Sequence, residues 1–565
     1  MSTHLRRHAG VLLPLFSAPS SRSWGIGEIA DLVPLCTWLR QAGCDVLLLL
    51  PVNEMASGSH SPYSAISAMA IDPIFISAWA VEDVVALGGE GGLEAGDRRR
   101  LAEARRAEAI DHATVRAVKD RALRAAFARF LAEEWTQESA RAAALTTYRR
   151  EEAWWLDDYA LFRALRAREG ERPWWEWPRG LARREPGALA EAGQALEEEI
   201  LYAQYLQWIA DAQWHAARRR VAPLGLFGDL PFMVGSDSAD VWARQHAFDV
   251  TATVGTPPDA FSATGQDWGL PAYRWDVFEA EGDAWIHDRA ARAAELFSGY
   301  RVDHLVGFYR TFVIPTDGTK RHFEPADEED QLAQGERLMA AFALPGAQVI
   351  AEDLGTVPDF VRDSLERLDI PGYKVLRWER EWNEPGQPFR DPSDWPPCSV
   401  ATTGTHDTET LAEWWDGADE DERAAIAGIP WLAERAFRPD AGPLTQASRD
   451  LLVELMYASA SALLVLPFQD LFGWRDRINT PATVGRDNWT WRLPWPVDRL
   501  DREPVAVERA ATLRGWARKH RRGLGSRESG IGNRESGGVG NRESGVGNTE
   551  SGVDWTGIWE LGSGN

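Results

Sequence analysis

The chain has 565 residues, 44% of them hydrophobic, and a formal net charge of −25. This size is enough for a large core, either in more than one domain or in a barrel with insertions. The acidic balance argues against nucleic acid and anionic membrane surfaces as partners, and it favours a neutral or cationic substrate.

Eight short apolar runs bounded by turn residues are predicted to be β-strands. The second run is a continuous stretch of Leu and Val, which is typical of a parallel strand buried on both faces. Helical patterns separate most of the runs, as at residues 29–42, 284–297 and 358–368. Eight strands alternating with helices predict an α/β fold, the (β/α)8 or TIM barrel. The predicted strands are residues 10–16, 44–52, 225–232, 300–303, 348–352, 373–378, 399–403 and 462–468.

A long segment between the second and third strands, at about 77–221, has a different composition. It is rich in Ala, Arg, Glu and Leu with helical periodicity, as at residues 113–134 and 196–220. We expect it to form a helical subdomain inserted into a catalytic barrel that spans residues 1–522. The chain has 28 tryptophans. Core packing is the favoured role for most of them, although enzymes that stack sugar rings on indole faces also need them.

The C-terminal segment, residues 523–565, is a low-complexity tail. The unit Arg-Glu-Ser-Gly recurs at Arg527, Arg534 and Arg542, and a variant begins at Thr549. These units hold almost no large apolar residue, so they cannot offset the entropy of ordering. We therefore predict a disordered tail.

Cys36, Cys44 and Cys398 are too few for a disulfide framework and lack the spacing of metal ligands. A cytoplasmic location is the simplest interpretation, and neither a metal nor another cofactor is expected. The apolar run at residues 11–16 follows two arginines, as in a signal peptide, but it is short and interrupted by Pro14. We interpret it as the first strand. No segment has the apolar length that would span a bilayer.

Acidic residues follow three of the predicted strands. Asp303 ends the fourth strand, Glu352 ends the fifth and Asp407 follows the seventh. Arg301 lies two residues before Asp303, and residues i and i+2 of a strand point to the same side. A guanidinium there would keep the Asp303 carboxylate ionised. The C-terminal ends of barrel strands meet at one face, so we expect the three acids to converge.

Two carboxyl groups about 5–5.5 Å apart cleave a glycosidic bond with retention of configuration. Asp303 suits attack on the anomeric carbon, and the longer Glu352 side chain suits proton donation to the leaving oxygen. Asp407 is placed to hydrogen-bond sugar hydroxyls in the distorted ring of the transition state. Each acid alone is better explained as a helix cap or a surface carboxylate. Three acids at the ends of strands four, five and seven favour a catalytic site.

Several stretches together resemble the amylomaltase or disproportionating-enzyme family, the 4-α-glucanotransferases of glycoside hydrolase family 77. The resemblance extends to about Leu493. Its most specific stretch is Pro-Pro-Asp-Ala-Phe-Ser-Ala-Thr-Gly-Gln-Asp-Trp-Gly at residues 257–269, a loop that lies over the active site in family members. The other matching stretches are residues 61–64, 155–162, 228–232, 238–242, 301–304, 352–355, 477–481 and 488–492.

The resemblance implies a role for each acid: Asp303 as nucleophile, Glu352 as acid/base and Asp407 as transition-state stabiliser. It also implies a set of sugar-contacting side chains. The two histidines in that set have satisfied core histidines as the alternative interpretation, and their spacing gives no reason to invoke a metal. The implied sugar contacts are Tyr63, Asp229, Gln266, Trp268, Arg301, His304, Asp353, His406 and Asn479.

The leading hypothesis is a retaining transferase that moves α-1,4-glucan segments from a maltooligosaccharide to the 4-hydroxyl of another glucan or of glucose. A hydrolase that uses the same carboxylates with water as acceptor is the second hypothesis. A non-catalytic glucan-binding protein is the third, and the three intact acids argue against it. The loop that carries Gln266 and Trp268 favours transfer, since a lid that orders an acceptor sugar also excludes water.

Overall fold

The computed structural model describes residues 6–258, 265–481, 483, 485 and 487–524. These residues form strands numbered here in chain order: β1 Gly10–Leu12, β2 Val46–Leu48, β3 Gly225–Leu230, β4 Phe248–Thr256, β5 Gln266–Tyr273, β6 Gly299–Val302, β7 Thr311–Pro315, β8 His322–Glu324, β9 Gln348–Ala351, β10 Gly372–Val375, β11 Ser399–Thr402 and β12 Leu463–Pro467.

Eight of the strands close into a parallel barrel in the order β1-β2-β3-β6-β9-β10-β11-β12. Each barrel strand pairs with the next one along the chain, and β12 pairs with β1. The barrel strands are mostly buried along their length, as the continuous apolar runs predict. Every predicted run contains or overlaps one barrel strand. The predicted (β/α)8 barrel is therefore confirmed.

A second sheet, which the sequence patterns did not predict, stands beside the barrel. It is antiparallel with the order β5-β4-β7-β8. Strand β4 pairs with β5 through a ladder whose register shifts twice, so the hairpin is irregular. The distinctive loop at residues 257–269 connects these two strands and runs into β5. Residues 259–264 of that loop lie outside the described part of the chain.

Eight α-helices lie between β2 and β3 within the described residues. The third of them is capped by Asp111, the residue before its first turn, whose side chain accepts a hydrogen bond from the Thr114 N–H. The helices of this segment are Glu82–Ala86, Ala95–Arg106, His112–Phe130, Ala140–Glu151, Ala153–Arg168, Arg179–Ala182, Pro186–Ala195 and Glu197–Val221.

The remaining helices follow the barrel strands or connect them. The helix Ala284–Leu296 ends one residue before its predicted boundary, and Asp359–Arg367 lies within its predicted range. The helices outside the inserted segment are Leu32–Gln41, Ala239–Ala243, Trp275–Ala280, Ala284–Leu296, Val306–Tyr309, Glu328–Ala343, Asp359–Arg367, Leu411–Gly417, Glu420–Ala427, Pro430–Ala433, Gln446–Ala458, Phe468–Phe472 and Pro504–Lys519.

A buried ion pair joins the inserted helices to the barrel. Lys119, on the helix His112–Phe130, lies 2.7 Å from Glu28 in the segment after β1, and both side chains are almost fully buried. The Lys119 ammonium also donates to the carbonyl oxygens of Ile74 and Ile76. A buried charge needs polar partners of this kind, because its removal from water is unfavourable. The pair therefore holds the insertion against the wall of the barrel.

Backbone hydrogen bonds of the barrel extend two residues past residue 522. The Gly523 N–H donates to Arg7 O at 2.8 Å, and the Leu524 N–H donates to Gly43 O at 3.0 Å. Residues 525–565 lie outside the described residues, so the disordered tail stays a prediction. The division of the chain into a catalytic domain, an insertion and a tail also stays a prediction. In the part of the chain that the structure describes, no helix is long and apolar enough to cross a membrane.

Candidate active site

Asp303 and Glu352 stand side by side at the C-terminal edge of the barrel. Each directly follows a strand, β6 and β9 respectively, and the last residues of those strands, Val302 and Ala351, are register partners. The Asp303 N–H donates to Leu230 O at 3.0 Å, and the Glu352 N–H donates to Val302 O at 3.0 Å. Both residues are thus held by ladder hydrogen bonds, which makes their positions rigid.

Arg301 connects Asp303 to a third carboxylate on the neighbouring strand. Its Nη2 lies 2.8 Å from Asp303 Oδ1, and its Nη1 donates to Asp229 Oδ2 at 2.6 Å. Asp229 lies on β3, directly opposite Arg301 in the register. Burial lowers the pKa of Arg301, but Asp229 and Asp303 outweigh it and raise that pKa well above its ordinary value. A permanent positive charge therefore sits between the two carboxylates.

Burial and nearby charges change the protonation of Glu352. Burial raises the pKa of Glu352 to about 7; the Arg301 charge opposes this rise and the Asp303 charge adds to it. Its Oε2 accepts a hydrogen bond from the His304 N–H at 2.8 Å, and its Oε1 accepts one from the Leu354 N–H at 3.3 Å. His304 has a φ of +41°, a left-handed conformation that few side chains adopt. Because its pKa is raised, Glu352 can carry a proton near neutral pH.

A chain of hydrogen bonds links loops that are far apart in the sequence. The Tyr63 hydroxyl donates to Asp229 Oδ2 at 2.7 Å and lies 3.0 Å from His406 Nε2. The same His406 nitrogen lies 3.3 Å from Asp407 Oδ2. On the other side, the Asn479 amide donates to Asp407 Oδ1 at 2.7 Å. The loops after β2, β11 and β12 therefore converge on one polar network.

His406 and Asp407 shift each other's protonation in opposite directions. Burial lowers the pKa of His406, but the Asp407 carboxylate outweighs it and the net pKa lies above the ordinary value. Burial raises the pKa of Asp407, but His406 and the Asn479 amide outweigh it and hold the pKa well below the ordinary range. Asp407 is therefore an anion, and its side chain is partly open to solvent.

Gln266 and Trp268 reach the site from the second sheet. The Trp268 indole N–H donates to Gln266 Oε1 at 3.1 Å, and the indole ring meets the His304 ring edge-on with centroids 4.7 Å apart. The His304 ring also meets Phe232, with centroids 5.5 Å apart. Burial lowers the pKa of His304 to about 4, so the ring is neutral at neutral pH. The strand β5 thus brings the distinctive loop to the Asp303 edge of the barrel.

The hydrogen bonds of Asp353 lead away from this network. Its Oδ1 accepts from the Tyr373 N–H at 2.7 Å, and its Oδ2 lies 3.2 Å from Arg362. The carboxylate therefore faces β10 and the helix Asp359–Arg367, and its predicted sugar contact stays a prediction. Successive side chains alternate across the end of β9, so Asp353 points to the side opposite Glu352.

Two further residues belong to the site and lacked an assigned role. The Trp489 ring lies 5.8 Å from both the Tyr63 and the His406 ring centroids. Arg477 donates from Nη2 to the Asp407 carbonyl oxygen at 3.2 Å. Both lie in stretches that carry the family resemblance, but neither directly follows a predicted strand. Among the described residues, no group of three or more His, Cys, Asp or Glu side chains is arranged to hold a metal ion.

A (β/α)8 barrel that gathers carboxylates at the C-terminal ends of its strands has the layout of an enzyme that acts on glycosidic bonds. A family model described as 4-alpha-glucanotransferase matches residues 13–498, and the chain belongs to this family, glycoside hydrolase family 77. The protein is therefore a glycosyl-transferring enzyme.

Relatives and a solved structure agree with this placement. The 4-alpha-glucanotransferase of Thermus thermophilus is 34% identical over 509 residues, which cover 86% of this chain and 95% of the relative. That of Chlamydia pneumoniae is 29% identical over 507 residues, covering 87% and 92%. The structure of amylomaltase from Streptococcus agalactiae in complex with acarbose is similar with a TM-score of 0.77, at 25% identity, covering 92% of this chain and 100% of the other.

Proposed function

We propose that this enzyme is a retaining 4-α-glucanotransferase that works through a covalent glycosyl-enzyme intermediate. It takes an α-1,4-linked glucan segment from a maltooligosaccharide donor and passes it to the 4-hydroxyl of another glucan or of glucose. One observation carries the proposal: Asp303 and Glu352 directly follow register partners of β6 and β9, Arg301 is paired to Asp303, and Glu352 is able to hold a proton.

In the first half-reaction a carboxylate oxygen of Asp303 attacks the anomeric carbon. The bond from that carbon to the glycosidic oxygen breaks, and the oxygen leaves with the proton of Glu352. The pairing of Asp303 with Arg301 at 2.8 Å supports its role as the anionic nucleophile. The raised pKa of Glu352, about 7, supports its role as the acid.

In the second half-reaction the acceptor sugar replaces the departed segment. The Glu352 carboxylate takes the proton of the acceptor 4-hydroxyl, whose oxygen attacks the anomeric carbon and releases Asp303. Asp407 stays ionised beside the sugar ring and stabilises the positive charge of the transition state. Its hydrogen bond from Asn479 and its contact with His406 support this role, because both favour the anion.

The remaining site residues are proposed to bind and orient the glucan. Tyr63, Asp229, Arg301 and His406 form the network between Asp303 and Asp407, and their polar groups are the ones that sugar hydroxyls would meet. Trp268 and Gln266 are proposed to order the acceptor and exclude water, which favours transfer over hydrolysis. Maltooligosaccharides, longer glucans and glucose are the proposed substrates, with the cytoplasm as the proposed location.

Trapping the intermediate tests the proposal. A glycosyl fluoride donor needs little protonation of its leaving group, so Glu352→Gln should still be glycosylated at Asp303 as fluoride departs. The adduct should persist, because no base activates the acceptor. Mass spectrometry of the peptide covering residues 299–310 should show the added sugar. The matched control, Asp303→Asn, should show none.

An adduct on Glu352 or Asp407, or any adduct in Asp303→Asn, would contradict the assignment. A second assay separates transfer from hydrolysis. Wild-type enzyme incubated with maltotriose should yield longer oligomers together with glucose. Maltose and glucose without longer products would identify a hydrolase. Unchanged maltotriose would leave a non-catalytic glucan-binding protein as the remaining hypothesis.

A further inference from the structure

Trp489 occupies an unusual backbone conformation at the edge of the site. Its φ is +63°, in the left-handed region that a bulky side chain rarely adopts. Such a conformation persists only where the surrounding structure imposes it. The Trp489 N–H donates to Ile478 O at 2.8 Å, and its carbonyl oxygen lies 2.9 Å from His112 Nε2. The two hydrogen bonds hold the Trp489 backbone at its N–H and at its carbonyl oxygen.

His112 supplies one of those hydrogen bonds from the inserted helices. It is the first residue of the helix His112–Phe130 and is only 3% exposed. Burial lowers the pKa of His112 to about 4, so the ring is neutral. A carbonyl oxygen can only accept, so Nε2 carries the hydrogen. His112 Nδ1, which then holds the lone pair, has no hydrogen-bond partner among the described residues. The ring therefore acts as a single donor directed at Trp489.

Other contacts fix the orientation of the His112 ring. It stacks on His60 with centroids 5.0 Å apart and an interplanar angle of 17°, and it meets Phe16 edge-on with centroids 5.6 Å apart. His60 lies in the loop that leads to Tyr63, and Phe16 lies in the segment after β1. A further backbone bond, from the Ile110 N–H to Thr490 O at 2.8 Å, joins the same two segments. The insertion thus contacts the Trp489 turn at two adjacent points.

We propose that His112 is a positioning residue for the transferase site: it donates a hydrogen bond to Trp489 O and so holds the indole against Tyr63 and His406. Those two rings belong to the network that joins Asp229 to Asp407. His112 itself contacts none of the three acids that we propose to be catalytic. Its effect passes through Trp489, and it gives the inserted helices a role in the geometry of the site. This inference rests on the proposed function.

Two substitutions at the same position separate the ring from the donor. His112→Phe keeps a ring between His60 and Phe16 but removes the hydrogen on Nε2. His112→Gln loses the ring but keeps an amide N–H at a similar reach. We expect His112→Phe to lower kcat/KM for maltotriose disproportionation about tenfold, the cost of one lost hydrogen bond. We expect His112→Gln to keep most of the wild-type kcat/KM.

Hydrogen exchange measured by mass spectrometry gives a readout that does not depend on the reaction. In His112→Phe, the peptide covering residues 487–492 should exchange faster, while peptides from the helix His112–Phe130 exchange as in the wild type. In His112→Gln, exchange of the 487–492 peptide should return to the wild-type rate. The local change distinguishes positioning from a general loss of stability.

The proposal is overturned if His112→Phe leaves exchange at 487–492 and kcat/KM unchanged. It is also overturned if His112→Gln is as impaired as His112→Phe, or if exchange rises equally throughout the helix, since His112 would then be a core residue only. A wild-type protein without transferase activity would contradict the proposed function instead. In that case the exchange measurements would still support or overturn the claim that His112 positions Trp489.

Discussion

The backbone N–H of His304 donates a hydrogen bond to Oε2 of Glu352, at 2.8 Å, next to Asp303. Burial and the Asp303 charge favour the protonated form of Glu352, whereas the Arg301 charge and this bond favour the ionised carboxylate, and the balance leaves the pKa of Glu352 at about 7. If Glu352 is the acid, kcat/KM for maltotriose should fall as pH rises through about 7, because the free enzyme loses the catalytic proton. A pH–rate profile measures this limb. With a glycosyl fluoride donor, the rate of the glycosylation step should fall only weakly over the same pH range. A fall as large as that seen with maltotriose would contradict the role of Glu352.

The same pKa shift predicts the direction of a change in stability with pH. A carboxyl group whose folded-state pKa is raised contributes stability below its ordinary value of 4.5, and this contribution is lost as pH rises to about 7. Glu352→Gln carries no charge at any pH. Its Tm should therefore rise relative to the wild type between pH 5 and pH 8, as followed by thermal unfolding at each pH. A constant difference across this range would contradict the shift.

Asn479 is expected to matter through its hydrogen bond to Asp407 Oδ1 at 2.7 Å. Asn479→Ala removes a hydrogen bond to a charged group, which is worth about 1.5–3 kcal/mol, so kcat should fall roughly 10- to 100-fold. Asn479→Asp has nearly the same shape but puts a second carboxylate beside the first, and its loss should be at least as large. Steady-state kinetics on maltotriose check both. Wild-type kcat in Asn479→Asp would show that the amide donor is not needed.

Trp268→Ala should reduce transfer more than hydrolysis. The indole meets the His304 ring with centroids 4.7 Å apart, and an aromatic contact of this kind is worth about 0.5–1.5 kcal/mol beyond its buried area. Losing it should free the distinctive loop and admit water as a competing acceptor. The ratio of oligomers to hydrolysis products from maltotriose is the measurement. Trp382→Ala, at an exposed tryptophan 55% open to solvent, is the control and should leave the ratio unchanged.

Lys119→Met should destabilise the whole fold. It leaves Glu28 buried without its partner at 2.7 Å, a loss of about 3–5 kcal/mol for a broken buried pair. Urea unfolding measures the free energy. The double variant Lys119→Met with Glu28→Gln removes the uncompensated charge and should recover part of the loss. A loss below about 1 kcal/mol in the single variant would show that this ion pair contributes little to holding the insertion.

Ending the chain after Leu524 should leave Tm and transferase rate unchanged, because the remaining residues lack the composition of a core. Ending it after Arg521 is the matched comparison. That cut removes Arg522, a buried side chain that donates to Tyr457 O at 2.8 Å and to Ser459 O at 2.7 Å. The longer truncation should therefore lower Tm by several degrees. A large loss after the shorter truncation would show that the tail docks on the barrel.

Local patterns in the sequence were enough to predict the barrel and the positions of its acids. A buried parallel strand is a continuous apolar run, and this pattern depends on the residues of that strand only. The i and i+2 spacing of Arg301 and Asp303 likewise placed both on one side of β6, where they form an ion pair. The convergence of Asp303 and Glu352 followed from topology, because parallel barrel strands end at the same face.

The second sheet and the polar network were decided only by the tertiary structure. Strands β4 and β5 form an irregular hairpin with two register shifts, so no clean alternation marks them in the sequence. Tyr63, His406 and Asn479 lie in loops, where no periodicity predicts a direction, and they meet only because barrel closure brings the ends of β2, β11 and β12 together. Trp489 has a left-handed conformation, and its carbonyl oxygen lies 2.9 Å from Nε2 of His112, which is far away in the chain. Contacts of this kind depend on the position of distant backbone, and no local pattern records them.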